Sequence, residues 1–256
     1  MRSLKGEWRM EAILYVGHGS RIKSGADEAI SFIERTKPRI EVNIQEISFL
    51  ELVKPSISEG IERCVQRGAT KIAVVPILLL TANHANEDIP LEIHKGKARY
   101  PHIEFTYGRP FGVHPKLVDS LYERIMEQLI PIRKDANVLL IGRGSSDPTV
   151  EHDLKEIAQL LEERYFFRQV DTCFLYGAGQ SFEEALTNIQ KSTHQVFIIP
   201  YLLFTGILLK SIEKKIASST QIRQRLVLCK SLGYDYHVED VLVERVEQLR
   251  EVEYLI

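Results

Sequence analysis

Short apolar runs and amphipathic stretches alternate along the chain. Residues 12–16 are continuously apolar, and residues 25–36 follow with helical spacing. Residues 42–50 read as a strand, and 55–67 as a helix with Pro55 suited to its first turn. Residues 71–80 form a β-branched apolar run, followed by helical spacing over 86–99. Residues 103–107 read as a short strand and 114–129 as a strongly periodic helix. Four strand–helix units in about 120 residues predict a parallel sheet covered on both faces.

The pattern then starts again. Residues 130–136 read as a linker and 137–141 as a new strand. Val16-Gly-His-Gly-Ser20 matches Ile141-Gly-Arg-Gly-Ser145 at an offset of 125. Ser48-Phe-Leu-Glu51 matches Cys173-Phe-Leu-Tyr176 at the same offset. Val74 to Thr81 matches Ile198 to Thr205 at 124, and Leu117 to Arg124 matches Val238 to Arg245 at 121. Ordered matches at a nearly constant offset indicate an internal duplication. The expected architecture is α/β, with two similar domains, each a mainly parallel four-stranded sheet flanked by helices. The expected boundaries are 1–130 and 131–256, with the reactive residues in the first domain and a degenerate repeat in the second.

The halves differ where chemistry would sit. Arg143 answers His18, Tyr176 answers Glu51, and Leu208 answers His84. The three residues of the first half lie at or just past strand ends, 33 residues apart in each step. In a parallel sheet that brings all three to one carboxyl edge, where open α/β sheets bind ligands. Each alone has an ordinary reading, as a turn histidine or a solvated acid. Together, and all replaced in the other half, they read as a site. Two imidazoles and a carboxylate suit Fe²⁺, Co²⁺, Ni²⁺ or Zn²⁺ better than Ca²⁺ or Mg²⁺. The same groups can accept protons near neutral pH. For His94, His102, His114, His152, His194 and His237, surface or capping roles are expected.

Composition narrows the classes further. Of 256 residues, 44% are hydrophobic and 27% charged, the balance of a globular protein. The net charge of −2 provides no general attraction for nucleic acid, so no nucleic-acid partner is expected. No apolar run approaches a membrane span, and no membrane partner is expected. Arg2, Lys5 and Arg9 precede only a five-residue apolar run without a cleavage site, so no secretory leader is expected. Met10 is a candidate start, with residues 1–9 an extension. Cys64, Cys173 and Cys229 are odd in number and far apart. They read as free thiols in a reducing cytoplasm, with no disulfide framework or metal cluster.

Familiar nucleotide motifs fail. Ile22 stands where a dinucleotide loop starting at Gly17 needs its third glycine, and no G-K-[ST] exists. No G-x-S-x-G elbow exists either. Basic groups expected near the edge are Arg21, Lys23, Lys54, Arg109, Arg143 and Lys210. A cleft between the halves, with the histidines on one wall and Arg143 on the other, would suit a polyanion that accepts a metal.

Val16-Gly-His-Gly-Ser-Arg21, Phe49-Leu-Glu51 with Pro55, and Val75-Pro-Ile-Leu-Leu-Leu-Thr-Ala-Asn-His84 resemble the class II chelatases, in particular the sirohydrochlorin chelatases. The resemblance covers nearly the whole chain, duplication included. It implies ATP-independent insertion of a divalent metal into sirohydrochlorin, with loss of two pyrrole protons. It maps the family's two essential histidines onto His18 and His84 and its acidic helper onto Glu51, as metal ligands or proton acceptors. Arg143, Lys54 and Arg21 are candidate partners for the substrate's carboxylates. Cobalt-directed long forms often carry a histidine-rich or C-x-x-C stretch near the C-terminus, which this chain lacks, so Fe²⁺ is favoured and Co²⁺ is the alternative. No cofactor beyond the substrate metal is expected, and the duplication predicts a monomer. A metal or tetrapyrrole carrier without turnover is the reading of another class.

Overall fold

The structure is a computed structural model that describes residues 10–82, 84–191, 193–218, 225–233 and 235–251. Residues 1–9, read above as an extension, lie outside them. The elements run β1 (Glu11–Gly17), α1 (Lys23–Thr36), β2 (Ile44–Phe49), α2 (Ile57–Gln66), β3 (Lys71–Ile77), α3 (Ile89–Arg99), β4 (Glu104–Tyr107) and α4 (Pro115–Met126). The second series is β5 (Asn137–Gly142), α5 (Pro148–Tyr165), β6 (Gln169–Phe174), α6 (Phe182–Gln190), β7 (Val196–Pro200), α7 (Ile207–Ser218), β8 (Leu226–Leu228) and α8 (Tyr236–Glu251).

Each series forms one parallel four-stranded sheet, in the orders β2-β1-β3-β4 and β6-β5-β7-β8. The central strands are buried along their apolar runs, as those runs require: Ala12 to Val16 are inaccessible to solvent. The register repeats as well. Val16 pairs with Ser48, and Ile141 with Cys173. Helices α2 and α6 begin at Ser56 and Ser181, each in a capping box closed by the glutamate three residues on.

Several boundaries fall short of expectation, α4 ending at Met126 instead of 129 among them, and two have a clear local cause. The strand expected over 71–80 stops at Ile77, because Leu78 and Leu79 turn their carbonyls to the amides of Phe111 and Gly112, at 2.9 and 2.7 Å. Pro55 precedes the cap of α2 instead of opening its first turn, since Ser56 is the better acceptor for the free amide of Glu59.

The domains need a larger correction. The chain forms two compact units, Met1–Gly112 with Glu239–Ile256, and Val113–Val238. The expected cut at 130/131 follows the repeats, whereas the units exchange the last helix of each. Helix α4 therefore belongs to the second unit and most of α8 to the first. The apolar face of each helix is covered there, and one buried arginine fixes each. Arg245 in α8 donates from Nε to Pro110 O at 3.1 Å and also bonds Phe111 O. Arg124 in α4 pairs with Asp235 at 2.9 Å. Both hold the loop after the fourth strand of a sheet, and they are matched residues of the repeat.

Candidate metal and tetrapyrrole site

The first unit builds its site from three neighbouring strand ends. Gly17 closes β1, so His18 is the first residue beyond it. At the end of β2, Leu50 N donates to Gly17 O at 2.9 Å and Glu51 N to His18 O at 3.1 Å. This clasp needs Gly19, which has φ +97°, and a Cβ there would lie 1.9 Å from Glu51 O. Beyond β3 the chain makes a π-helical turn, His84–Asp88, that runs straight into α3. Tyr107 Oη ties that turn to β4 through Ala85 O at 2.8 Å. Burial pushes the Tyr107 phenol well above its ordinary range, so it acts as a neutral donor.

The two imidazoles meet. His18 Nε2 and His84 Nε2 are 3.1 Å apart, with the rings nearly perpendicular at 87°. The other nitrogen of each ring faces oxygen. His84 Nδ1 lies 2.7 Å from Asp88 Oδ2. His18 Nδ1 lies 3.3 Å from Gly19 O and 3.6 Å from Glu51 Oε1. These acceptors favour a proton on both Nδ1 atoms, which turns the two Nε2 lone pairs toward each other. Two lone pairs turned to one point can bind one metal ion together. Two imidazoles on one metal at about 2.05 Å, 90–110° apart, would place their nitrogens about 2.9–3.4 Å from each other. The observed spacing fits.

The expected three-ligand set does not form in that way. Glu51 stands behind His18, on its Nδ1 side, and its side chain is 51% exposed. Among the described residues no three His, Cys, Asp or Glu side chains converge on one metal position. The second carboxylate is Asp88, which the sequence reading missed. Its signal was the spacing of four from His84, visible only if the helix expected over 86–99 is extended back to residue 84.

The proposed carboxylate partners are spread out. Arg21 is exposed in the turn before α1. Lys54 pairs with Glu59 at 2.8 Å. That pairing, with bonds from the Ser56 amide and hydroxyl, holds the Glu59 carboxyl down to about 2. Arg109 bonds Gln248 at 3.1 Å. Arg143 belongs to the second unit, exposed at the place matching His18. The same clasp surrounds it: Tyr176 N donates to Arg143 O at 3.1 Å, and Gly144 has φ +90°. Of the other histidines, His114 caps α4 by accepting from Lys116 N, and His94 bonds Pro90 O at 2.7 Å. His194 and His237 face Asp135 and Glu123.

Two like α/β units, each a parallel four-stranded sheet with helices, and paired imidazoles at the carboxyl edge of the first sheet define a duplicated α/β protein. Comparison with known proteins narrows this class. Residues 12–128 and 137–249 match the CbiX family, and the chain belongs to it. It is 49% identical over 241 residues to the sirohydrochlorin ferrochelatase of Priestia megaterium, covering 94% of this chain and 91% of that one. It is 36% identical to the sirohydrochlorin cobaltochelatase of the same organism, over 93% and 80% of the two chains. The solved structure of SirB from Bacillus subtilis with Fe³⁺ superposes with a TM-score of 0.88 at 43% identity, covering 95% of this chain and 97% of that one. No helix among the described residues is long and apolar enough to cross a membrane.

Proposed function

We propose that this chain is a sirohydrochlorin ferrochelatase, inserting Fe²⁺ into sirohydrochlorin without ATP. The observation that carries the reading is the 3.1 Å approach of two Nε2 atoms whose partner nitrogens face oxygens. A site with two neutral donors facing one point can hold a borderline metal and still release it, because two ligands bind more weakly than the four nitrogens of the macrocycle. His18 and His84 hold the metal through Nε2. Asp88 orients His84. As the metal passes into the ring, the freed Nε2 atoms of His18 and His84 each accept one of the two departing pyrrole protons, with Glu51 and Asp88 facing their Nδ1 atoms, and both protons then pass to solvent. Lys54 and Arg21, of the same unit as the histidines, meet the peripheral carboxylates, with Lys54 giving up Glu59 to do so. Iron is favoured over cobalt because the ferrochelatase relative is closer in sequence than the cobaltochelatase, at 49% against 36% identity.

The chain acts as a monomer whose first repeat carries the metal chemistry, and it needs no cofactor beyond the substrate metal. Its three free cysteines suit a reducing cytoplasm. The test is anaerobic and optical. Protein, metal-free sirohydrochlorin and Fe²⁺ or Co²⁺ are mixed, and the macrocycle's visible spectrum is followed against a control without protein. Many turnovers, faster with Fe²⁺, are the expected result. Faster turnover with Co²⁺ would reassign the metal, and stoichiometric binding without turnover would leave a carrier.

A further inference from the structure

Leu52 directly follows Glu51 and is out of place by two ordinary criteria. Its φ is +65°, a region that leucine rarely adopts, and it is 54% exposed. Val53 N donates to Glu51 O at 2.8 Å, so Leu52 is the centre of a γ-turn with positive φ, the rarer and more strained form. The duplication supplies the unstrained alternative within the same chain. The matching position is Gly177, at φ +82°, where the missing side chain makes that backbone easy. There the next amide, Ala178 N, reaches Ser145 O at 3.3 Å, and no leucine is presented.

The two loops share their frame up to Glu51 and Tyr176 and part at this residue. The half with paired histidines carries a bulky apolar side chain at a strained position beside Gly19; a Cβ at Gly19 would lie 3.7 Å from Leu52 Cβ. At Gly177 a Cβ would lie 2.3 Å from Ser145 O, so that loop excludes a side chain, whereas the first-half loop carries an exposed leucine at a strained position, which points to a use for the side chain itself. An exposed leucine that directly follows Glu51 and stands beside Gly19, the residue after His18, suits a ligand that is flat and apolar at its centre and charged at its rim.

We infer that Leu52 is a substrate-binding residue, its side chain lying against the face of the tetrapyrrole ring beside the paired histidines. This rests on the reading of the site as a sirohydrochlorin chelatase. The test compares the wild-type chain with Leu52→Gly, Leu52→Asn and Leu52→Met. Glycine and asparagine both tolerate positive φ and remove the apolar surface. Methionine keeps the surface and the strain. Sirohydrochlorin affinity is read by optical titration, turnover by the metal-insertion assay, and stability by Tm. The expected result is an about tenfold loss of sirohydrochlorin affinity in the Gly and Asn variants. The KM for Fe²⁺ should move less than twofold, Tm should not fall, and the Met variant should bind as the wild type does. Unchanged affinity in both Gly and Asn variants, or a fall in Tm that alone accounts for the loss, overturns the inference. A wild-type chain that neither binds nor metallates sirohydrochlorin overturns the reading beneath it, and this inference with it.

Discussion

His84 donates from Nδ1 toward Asp88 at 2.7 Å, which turns its Nε2 lone pair onto the Nε2 of His18 at 3.1 Å. The carboxylate thus sets which nitrogen of His84 is available. Replacing Asp88 with Asn keeps the shape but weakens the hold on the Nδ1 proton. Asp88→Asn should lower metal affinity about 10–100-fold while the macrocycle still binds. Titration with Co²⁺, followed by its absorption bands, would measure it; wild-type affinity would remove Asp88 from the site.

The paired imidazoles should behave as one unit. His18→Ala and His84→Ala are each expected to lower turnover about 100-fold or more, with circular dichroism unchanged. The double variant should be little worse than either single one, because the first substitution already leaves the metal with one nitrogen. Multiplying losses in the double variant would mean that the two rings act separately.

Both strand-end clasps depend on a glycine. A methyl on Gly19 would meet Glu51 O at 1.9 Å, and one on Gly144 would meet Tyr176 O at 1.7 Å. Gly19→Ala and Gly144→Ala should each destabilise the protein by about 3 kcal/mol, measured by urea unfolding. Only the first should also move Glu51 and His18, so activity at equal folded fraction should fall for Gly19→Ala alone.

Glu59 provides a pH signature away from the metal. Its carboxyl is lowered from an ordinary 4.5 to about 2, first by Lys54 and then by the Ser56 amide and hydroxyl. A depressed folded-state value stabilises the fold above 4.5, and that contribution is lost as pH falls toward 2. Wild type and Glu59→Gln should therefore differ in urea midpoint at pH 6 and converge near pH 2. A gap that stays constant over that range would remove the ionised carboxylate as its cause.

Much of this was legible in the sequence. The apolar runs of β1, β3, β5 and β7 are long and unbroken, because both faces of a parallel strand are covered. The repeat then supplied its own control, marking His18, Glu51 and His84 by their replacement. What stayed hidden depends on three dimensions. An amphipathic helix such as α4 shows which of its faces is buried but not which sheet buries it, so the exchange of α4 and α8 left no trace. Glu51 could be placed at the right edge, but the ring nitrogen it faces depends on a rotamer. Asp88 was obscured because the helix expected over 86–99 begins after His84, which hides an i, i+4 pair.

The exchanged helices are held by buried arginines. Arg245→Ala would leave the carbonyls of Pro110 and Phe111 without that donor and should destabilise the fold by about 3 kcal/mol, read as a lower urea midpoint. A change below about 0.5 kcal/mol would mean that α8 is held by its apolar face alone.

The crossing of α4 and α8 also fixes what a broken gene would make. A cut in the connection between Met126 and Asn137 would not free two smaller proteins, since each fragment would carry away the helix that the other's sheet needs. The pieces would be useful only when made together, as two chains of one particle. Conversely, a single repeat standing alone keeps the cover given by its own α2 and α3 and lacks the helix that the other repeat supplies. Duplication makes that mutual dependence internal: the partners can no longer be diluted apart, and one of them is free to lose its histidines.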